Sequence, residues 1–154
     1  MVQRKYQSGF SLLELLSVVV ILGMIAAVGS AHLSTDVLAN LSSDANAHQL
    51  LFDLKMARRR AIATGDDHRI TFTTVDSKIV SYQIEQIATD LSVQVIDSTR
   101  MISADVDVTV TGGSPTFDFE GQATVAPTID YDGPDKSWQI NIIPVSGNAT
   151  ITQQ

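Results

Sequence analysis

Residues 15–35 contain no Asp, Glu, Lys or Arg, and an acid, Glu14, stands directly before them. As an α-helix rising about 1.5 Å per residue, such a run spans about 30 Å, the hydrocarbon thickness of a bilayer. Arg4 and Lys5 precede it, so the positive-inside tendency would keep the first residues cytoplasmic and send the rest across. The acid is the odd element. A carboxylate drawn toward the bilayer centre costs about 2–3 kcal/mol, and neither a plain anchor nor a secretory signal gains anything from it. On hydrophobicity alone two simpler readings stay open. One is a signal anchor; the other is a signal peptide cut after Ala31, where Gly29-Ser30-Ala31 supplies small residues.

The order Gly9-Phe10-Ser11-Leu12-Leu13-Glu14 behind a short basic leader resembles the type IV prepilin processing motif. The resemblance implies cleavage between Gly9 and Phe10 by a prepilin peptidase, and N-methylation of Phe10. Cleavage would free an α-amine, a group ordinarily cationic at neutral pH. In a helix Phe10 and Glu14 stand at i and i+4 on one face, so amine and acid can pair within a chain or between stacked chains. At about 4 Å and an effective dielectric near 20, that attraction is worth about 4 kcal/mol before desolvation. In the family this acid guides each new subunit into register, a role the resemblance gives to Glu14. The family's helix often carries a Pro where this chain has Ala31. Gly23, Gly29 and Ser30 are weak helix formers, so the helix is expected to be continuous in the free subunit and loosened over residues 23–30 in a filament.

A helical pattern resumes at Asp36 and runs to Ala63, with Leu50, Leu54, Ala57 and Ala61 at i, i+4, i+7 and i+11, flanked by Leu51 and Ile62. No Pro interrupts residues 10–63, which predicts a single helix about 80 Å long. Lys55, Arg58, Arg59 and Arg60 suit its negative C-terminal end, and Gly65 is a natural stop. The period then switches to two. Ile70, Phe72 and Thr74 alternate with polar neighbours, and Asp76-Ser77 offers a turn into residues 79–84. Further strand-like runs lie at 91–96, 106–111, 116–119, 128–131, 138–143 and 149–152. Strands bunched after one long helix predict an α+β protein with antiparallel sheet rather than βαβ units. The expected organisation is a leader over 1–9, a transmembrane and assembly segment over 10–35, an amphipathic second half of the helix over 36–64, and a β-rich domain over 65–154.

Three short segments narrow the resemblance. Residues 51–62, ending Ala57-Arg58-Arg59-Arg60-Ala61-Ile62, look like the helix end of H-type pseudopilins and related minor pilins. Phe117-Asp118-Phe119-Glu120-Gly121 and Val145-Ser146-Gly147 match that group's later elements. The absence of cysteine rules out the C-terminal disulfide of many major pilins. The resemblance therefore implies a minor subunit, of a type IV pilus (a mannose-sensitive-haemagglutinin-type pilus among them) or, alternatively, of a type II secretion system.

Other candidate sites were weighed against plainer roles. Arg58, Arg59 and Arg60 form a candidate DNA contact, as in some related minor pilins. Against it, the net charge is −7, and loss of Arg4 and Lys5 with the leader would take it to −9, a poor general binder of nucleic acid. Asp130, Asp132 and Asp135 surround a Gly-Pro turn in a pattern that suits Ca²⁺, but no Glu closes it as a bidentate ligand. His68 after Asp66-Asp67 is a weak metal motif, since adjacent turn residues rarely converge on one ion. His32 and His48 fit packing or surface roles. No nucleophile elbow, phosphate loop or zinc-protease motif occurs. The chain is expected to be a peptidase substrate rather than an enzyme, with no cofactor. Its expected partners are the prepilin peptidase, other pilins or pseudopilins and the inner-membrane assembly platform, with its head in the periplasm and later in a pilus or pseudopilus. An adhesive or DNA-binding minor pilin is the remaining alternative.

Overall fold

The computed structural model describes residues 11–31 and 35–154, with side chains described over 11–27 and 42–154. The chain divides into two compact units, residues 1–35 and 36–154. In the first, helix α1 (Leu12–Ala31) is 20 residues long. Ser11 caps it: its Oγ accepts from the Leu13 N–H at 3.3 Å, and its carbonyl accepts from the N–H groups of Glu14 and Leu15 at 3.0 and 3.2 Å. Helical hydrogen bonding carries the backbone through Gly23 and Gly29, as expected for the free subunit. Every described side chain of α1 is exposed, with Leu12 at 89% and Ile25 at 64%. A helix apolar on all sides needs lipid or neighbouring protein around it. Among the described residues, whose α1 side chains end at Ala27, no helix is long and apolar enough to cross a membrane.

Helix α2 (Thr35–Thr64) opens the second unit. Residues 32–34 lie outside the described residues, and the expected single helix over 10–63 is described as α1 and α2. Ala47, Leu50, Leu54, Ala57 and Ala61 are fully buried, so the stripe read from the sequence faces the core. Ile62, which flanks that stripe, is 49% exposed, because its angle on the helix falls outside the buried arc. The helix stops at Gly65, whose φ of +79° is left-handed and whose N–H bonds the Ala61 carbonyl at 3.0 Å.

Ten strands follow: β1 (Asp67–Val75), β2 (Lys78–Ile87), β3 (Val93–Val95), β4 (Arg100–Met101), β5 (Asp107–Thr111), β6 (Thr116–Phe117), β7 (Ala123–Val125), β8 (Thr128–Asp132), β9 (Ser137–Ile143) and β10 (Asn148–Gln153). One sheet has the order β3-β2-β1-β6-β7, with β4 also on β2; the other has the order β10-β9-β8-β5. All these pairings are antiparallel, giving the expected α+β fold. Asp76 and Ser77 form the two-residue β1–β2 turn with φ of 49° and 65°, the hairpin geometry that matches strand twist. β4 and β7 were not anticipated, because two or three residues are too few to display a period. β3 is shorter than its expected run because Leu91, at φ +66°, still belongs to the turn before it.

Ile70, Ile84 and Phe117 from the first sheet, with Ile129, Tyr131, Trp138 and Ile140 from the second, join the α2 stripe in one core. The opposite face of the first sheet carries a polar cluster. Glu85 Oε2 accepts from Arg69 Nη2 at 2.6 Å and Thr71 Oγ1 at 2.8 Å, and Oε1 accepts from Gln83 Nε2 at 2.9 Å. Burial opposes ionisation of Glu85, but these donors and the Arg69 charge hold its carboxyl below the usual glutamate value of 4.5. A carboxyl lowered in the fold contributes stability that is full above 4.5 and is lost as pH falls through the lowered value. Denaturant unfolding of the full chain in detergent should therefore show a smaller stability loss between pH 6 and pH 3 for Glu85→Gln than for the wild type.

Candidate functional site

At the amino-terminal end, Gly9 and Phe10 lie outside the described residues. Glu14 is described, in the first turn of α1. There a carboxylate complements the positive end of the helix dipole. Ser11 and Glu14 also have the spacing of a reciprocal capping box, a local signal in the motif that was not drawn from the sequence.

The three segments that suggested a minor subunit meet at one point in the second unit. Arg58 Nε donates to the Gly121 carbonyl at 2.8 Å, joining α2 to the turn between β6 and β7. That turn is closed by Asp118, whose Oδ1 accepts from the N–H groups of Glu120 and Gln122 at 3.0 and 2.8 Å. Gly147, in the β9–β10 turn, comes so close that a Cβ there would run into the Gly121 carbonyl and the Arg58 side chain. A Cβ on Gly121 would lie 2.6 Å from Ile62 Cδ1. Both glycines have positive φ, 80° and 60°, so close approach and backbone geometry demand glycine together. The Ala123 N–H also bonds the Pro144 carbonyl at 2.8 Å, linking the two sheets beside this junction.

The arginine triplet is therefore divided. Arg58 holds the junction, Arg60 Nη2 lies 3.8 Å from Asp97 Oδ2, and Arg59 is exposed. Asp130 lies on β8, where its Oδ1 accepts from Gln139 Nε2 at 2.8 Å, while Asp132 ends that strand and Asp135 lies in the following turn. Among the described residues no group of three or more His, Asp or Glu converges as a cation site. The turn packs on α2 instead, since a Cβ on Gly133 would meet Ser43 at 2.6–2.8 Å. His68 is buried, its Nδ1 donating to the Asp66 carbonyl at 3.0 Å. His48 is exposed, 3.5 Å from Asp44.

One polar centre escaped the sequence reading. Asp53 on α2 is fully buried and accepts from Tyr82 Oη at 2.8 Å and Gln49 Nε2 at 3.1 Å. Arg100 Nε lies 3.6 Å from its Oδ2, and Arg100 Nη2 lies 3.7 Å from Asp97. Asp53, Arg100, Asp97 and Arg60 thus form a run of alternating charge that fastens the segment around β4 to α2. Burial first, and the Asp53 hydrogen bond second, push the Tyr82 phenol far above its ordinary pKa; burial does the same to Tyr131, whose hydroxyl has no partner among the described residues. The signal was faint: an acid between Phe52 and Leu54 in a helix reads as surface unless its partners are known.

Two substitutions separate these centres. Arg58→Ala should lower unfolding free energy by about 1–3 kcal/mol, by leaving the Gly121 carbonyl without its donor. Tyr82→Phe should cost a similar amount by stranding a buried Asp53 oxygen. Because the two bonds share no partner, the two losses should add within about 0.5 kcal/mol in the double variant, as read by chemical denaturation.

Residues 4–30 match the family described as the prokaryotic N-terminal methylation motif. No curated protein matches the chain in sequence. Two solved structures of the minor pseudopilin EpsH from the type 2 secretion system of Vibrio cholerae share its fold. One matches at a TM-score of 0.57 and 17% identity, over 73% of this chain and 96% of that one. The other matches at 0.57 and 14%, over 77% and 95%. A methylation motif over residues 4–30 thus stands ahead of a domain that shares the fold of a minor pseudopilin.

Proposed function

We propose that this protein is a minor structural subunit of a type IV pilus, cleaved between Gly9 and Phe10, N-methylated on Phe10 and incorporated through its apolar helix. The observation that carries this reading is the methylation motif over residues 4–30 on a chain with the pseudopilin fold. Residues 10–35 cross the inner membrane before assembly, with the β-rich head in the periplasm. Glu14 pairs with a Phe10 amine and brings the subunit into register. The partners are a prepilin peptidase, neighbouring pilins and an assembly platform. The role is structural rather than catalytic. Nucleic acid is not a partner: the head is acidic, and two of its three clustered arginines already have partners within the chain.

A second reading, an H-type pseudopilin of a type II secretion system, is favoured by the likeness to EpsH. Deleting the gene separates the two, since one predicts loss of pili and the other loss of secreted enzymes.

Co-expression with a prepilin peptidase, followed by mass spectrometry, should give a product beginning at N-methylated Phe10. A product beginning at His32 would instead identify a cleaved signal peptide. Glu14→Ala should be processed normally, yet enter sheared filaments at least about tenfold less than wild type, the factor equivalent to 1.4 kcal/mol of lost pairing.

A further inference from the structure

Two exposed surfaces of the second unit have complementary character. On α2, the side turned away from the core carries Phe52, Lys55, Arg59 and Ile62 at i, i+3, i+7 and i+10, one stripe of a helix. Phe52 is 56% and Ile62 49% exposed, and both cations are exposed. Two bases bracketed by two large apolar side chains are not what a solvated helix face requires.

The second surface is a cleft of about 520 Å³ where α2 gives way to β1. Asp66 and Asp67 supply its charge, and Ile87, Leu91 and Phe119 its apolar walls. Leu91 is 81% and Phe119 58% exposed. Asp66 already accepts from Gln86 Nε2 at 2.7 Å, whereas the Asp67 carboxylate has no hydrogen bond or ion pair among the described residues. On β1, Asp67 alternates with His68, which shares its sheet face with Ile70 and, across the hairpin, Ile84 and Tyr82. Tyr82 reaches Asp53, so that face is the one α2 covers. Asp67 therefore points from the opposite face.

We propose that the α2 stripe of one copy of this chain seats in the Asp66–Asp67 cleft of the next, with Arg59 directed at Asp67 and the apolar pairs closing around them. Stripe and cleft are two different patches of the chain, so the contact is heterologous and repeats head to tail. It goes beyond the filament-subunit reading, because it concerns the head alone and needs no processing at Phe10. Either can fail while the other holds.

The absence of cysteine makes disulfide trapping a clean test. Ala63→Cys, one turn beyond Arg59, and Thr89→Cys, in the cleft wall, are each placed in the full chain in detergent and mixed under mild oxidation. The mixed disulfide should exceed both homodimers, and should also exceed a mixture of Ala63→Cys with Thr152→Cys, an exposed site on β10. Arg59→Asp or Asp67→Lys alone should lower it at least about threefold, and pairing the two reversed copies should restore it. Half-molar salt should lower the yield of the Ala63→Cys and Thr89→Cys pair without any charge reversal. A mixed yield no higher than the Thr152→Cys control, or one indifferent to charge reversal and to salt, overturns the proposal.

Discussion

The hydrogen bond from Arg58 to the Gly121 carbonyl joins three layers at once, and the second unit is organised around it. Arg58 comes from the helix, Gly121 from a turn of the first sheet, and Gly147 presses in from a turn of the second. A helix buries one stripe and a sheet one face, but neither fixes the angle between them. A part-buried directional bond, set beside glycines that admit no side chain, does. Hydrophobic burial brings the layers together without choosing their register; the junction chooses it. The link from Ala123 to Pro144 holds the sheets together on the same side.

The Asp53 centre does comparable work at a different cost. Placing an acid wholly inside a helix–sheet interface is expensive unless its oxygens are bonded. Tyr82 and Gln49 supply two donors, and Arg100 supplies charge at 3.6 Å. Apolar residues of similar volume would often be as stable or more so. What the polar cluster adds is placement: Arg100 and Asp97 lie on a stretch whose strands are only two or three residues long. Such short strands have little ladder to hold them, and the charge run to Arg60 ties the stretch back to α2.

Much of this was legible in the chain. The α2 stripe, the stop at Gly65 and the Asp76-Ser77 turn follow from spacing and residue type, because each is a local consequence of backbone geometry. The three segments of the junction were visible too, but only as separate short motifs. That they touch depends on contacts between residues 58, 121 and 147, which no period encodes. The same holds for Asp53, whose partners Tyr82 and Arg100 lie 29 and 47 positions away. β4 and β7 were invisible because their partners, not their residues, make them strands.

Glu14 remains the residue on which the reading of the first unit turns, and magnitudes decide between its two explanations. As the third residue of a Ser-capped helix it gains from the dipole, an effect worth about 0.3–1 kcal/mol at an exposed helix end. That would suffice if the helix began in water. Every described side chain of α1 is apolar or small apart from this acid and Ser17, and all of them are exposed. Once lipid or neighbouring helices cover that surface, the cost of a lone carboxylate, about 2–3 kcal/mol, exceeds what capping returns. A cation one turn earlier reverses the balance, because an attraction of about 4 kcal/mol outweighs the penalty. No Lys or Arg lies between Lys5 and Lys55. Cleavage before Phe10, as proposed, would place an α-amine one turn before Glu14, and the helix cap and the proposed cleavage site would then be two parts of one electrostatic requirement.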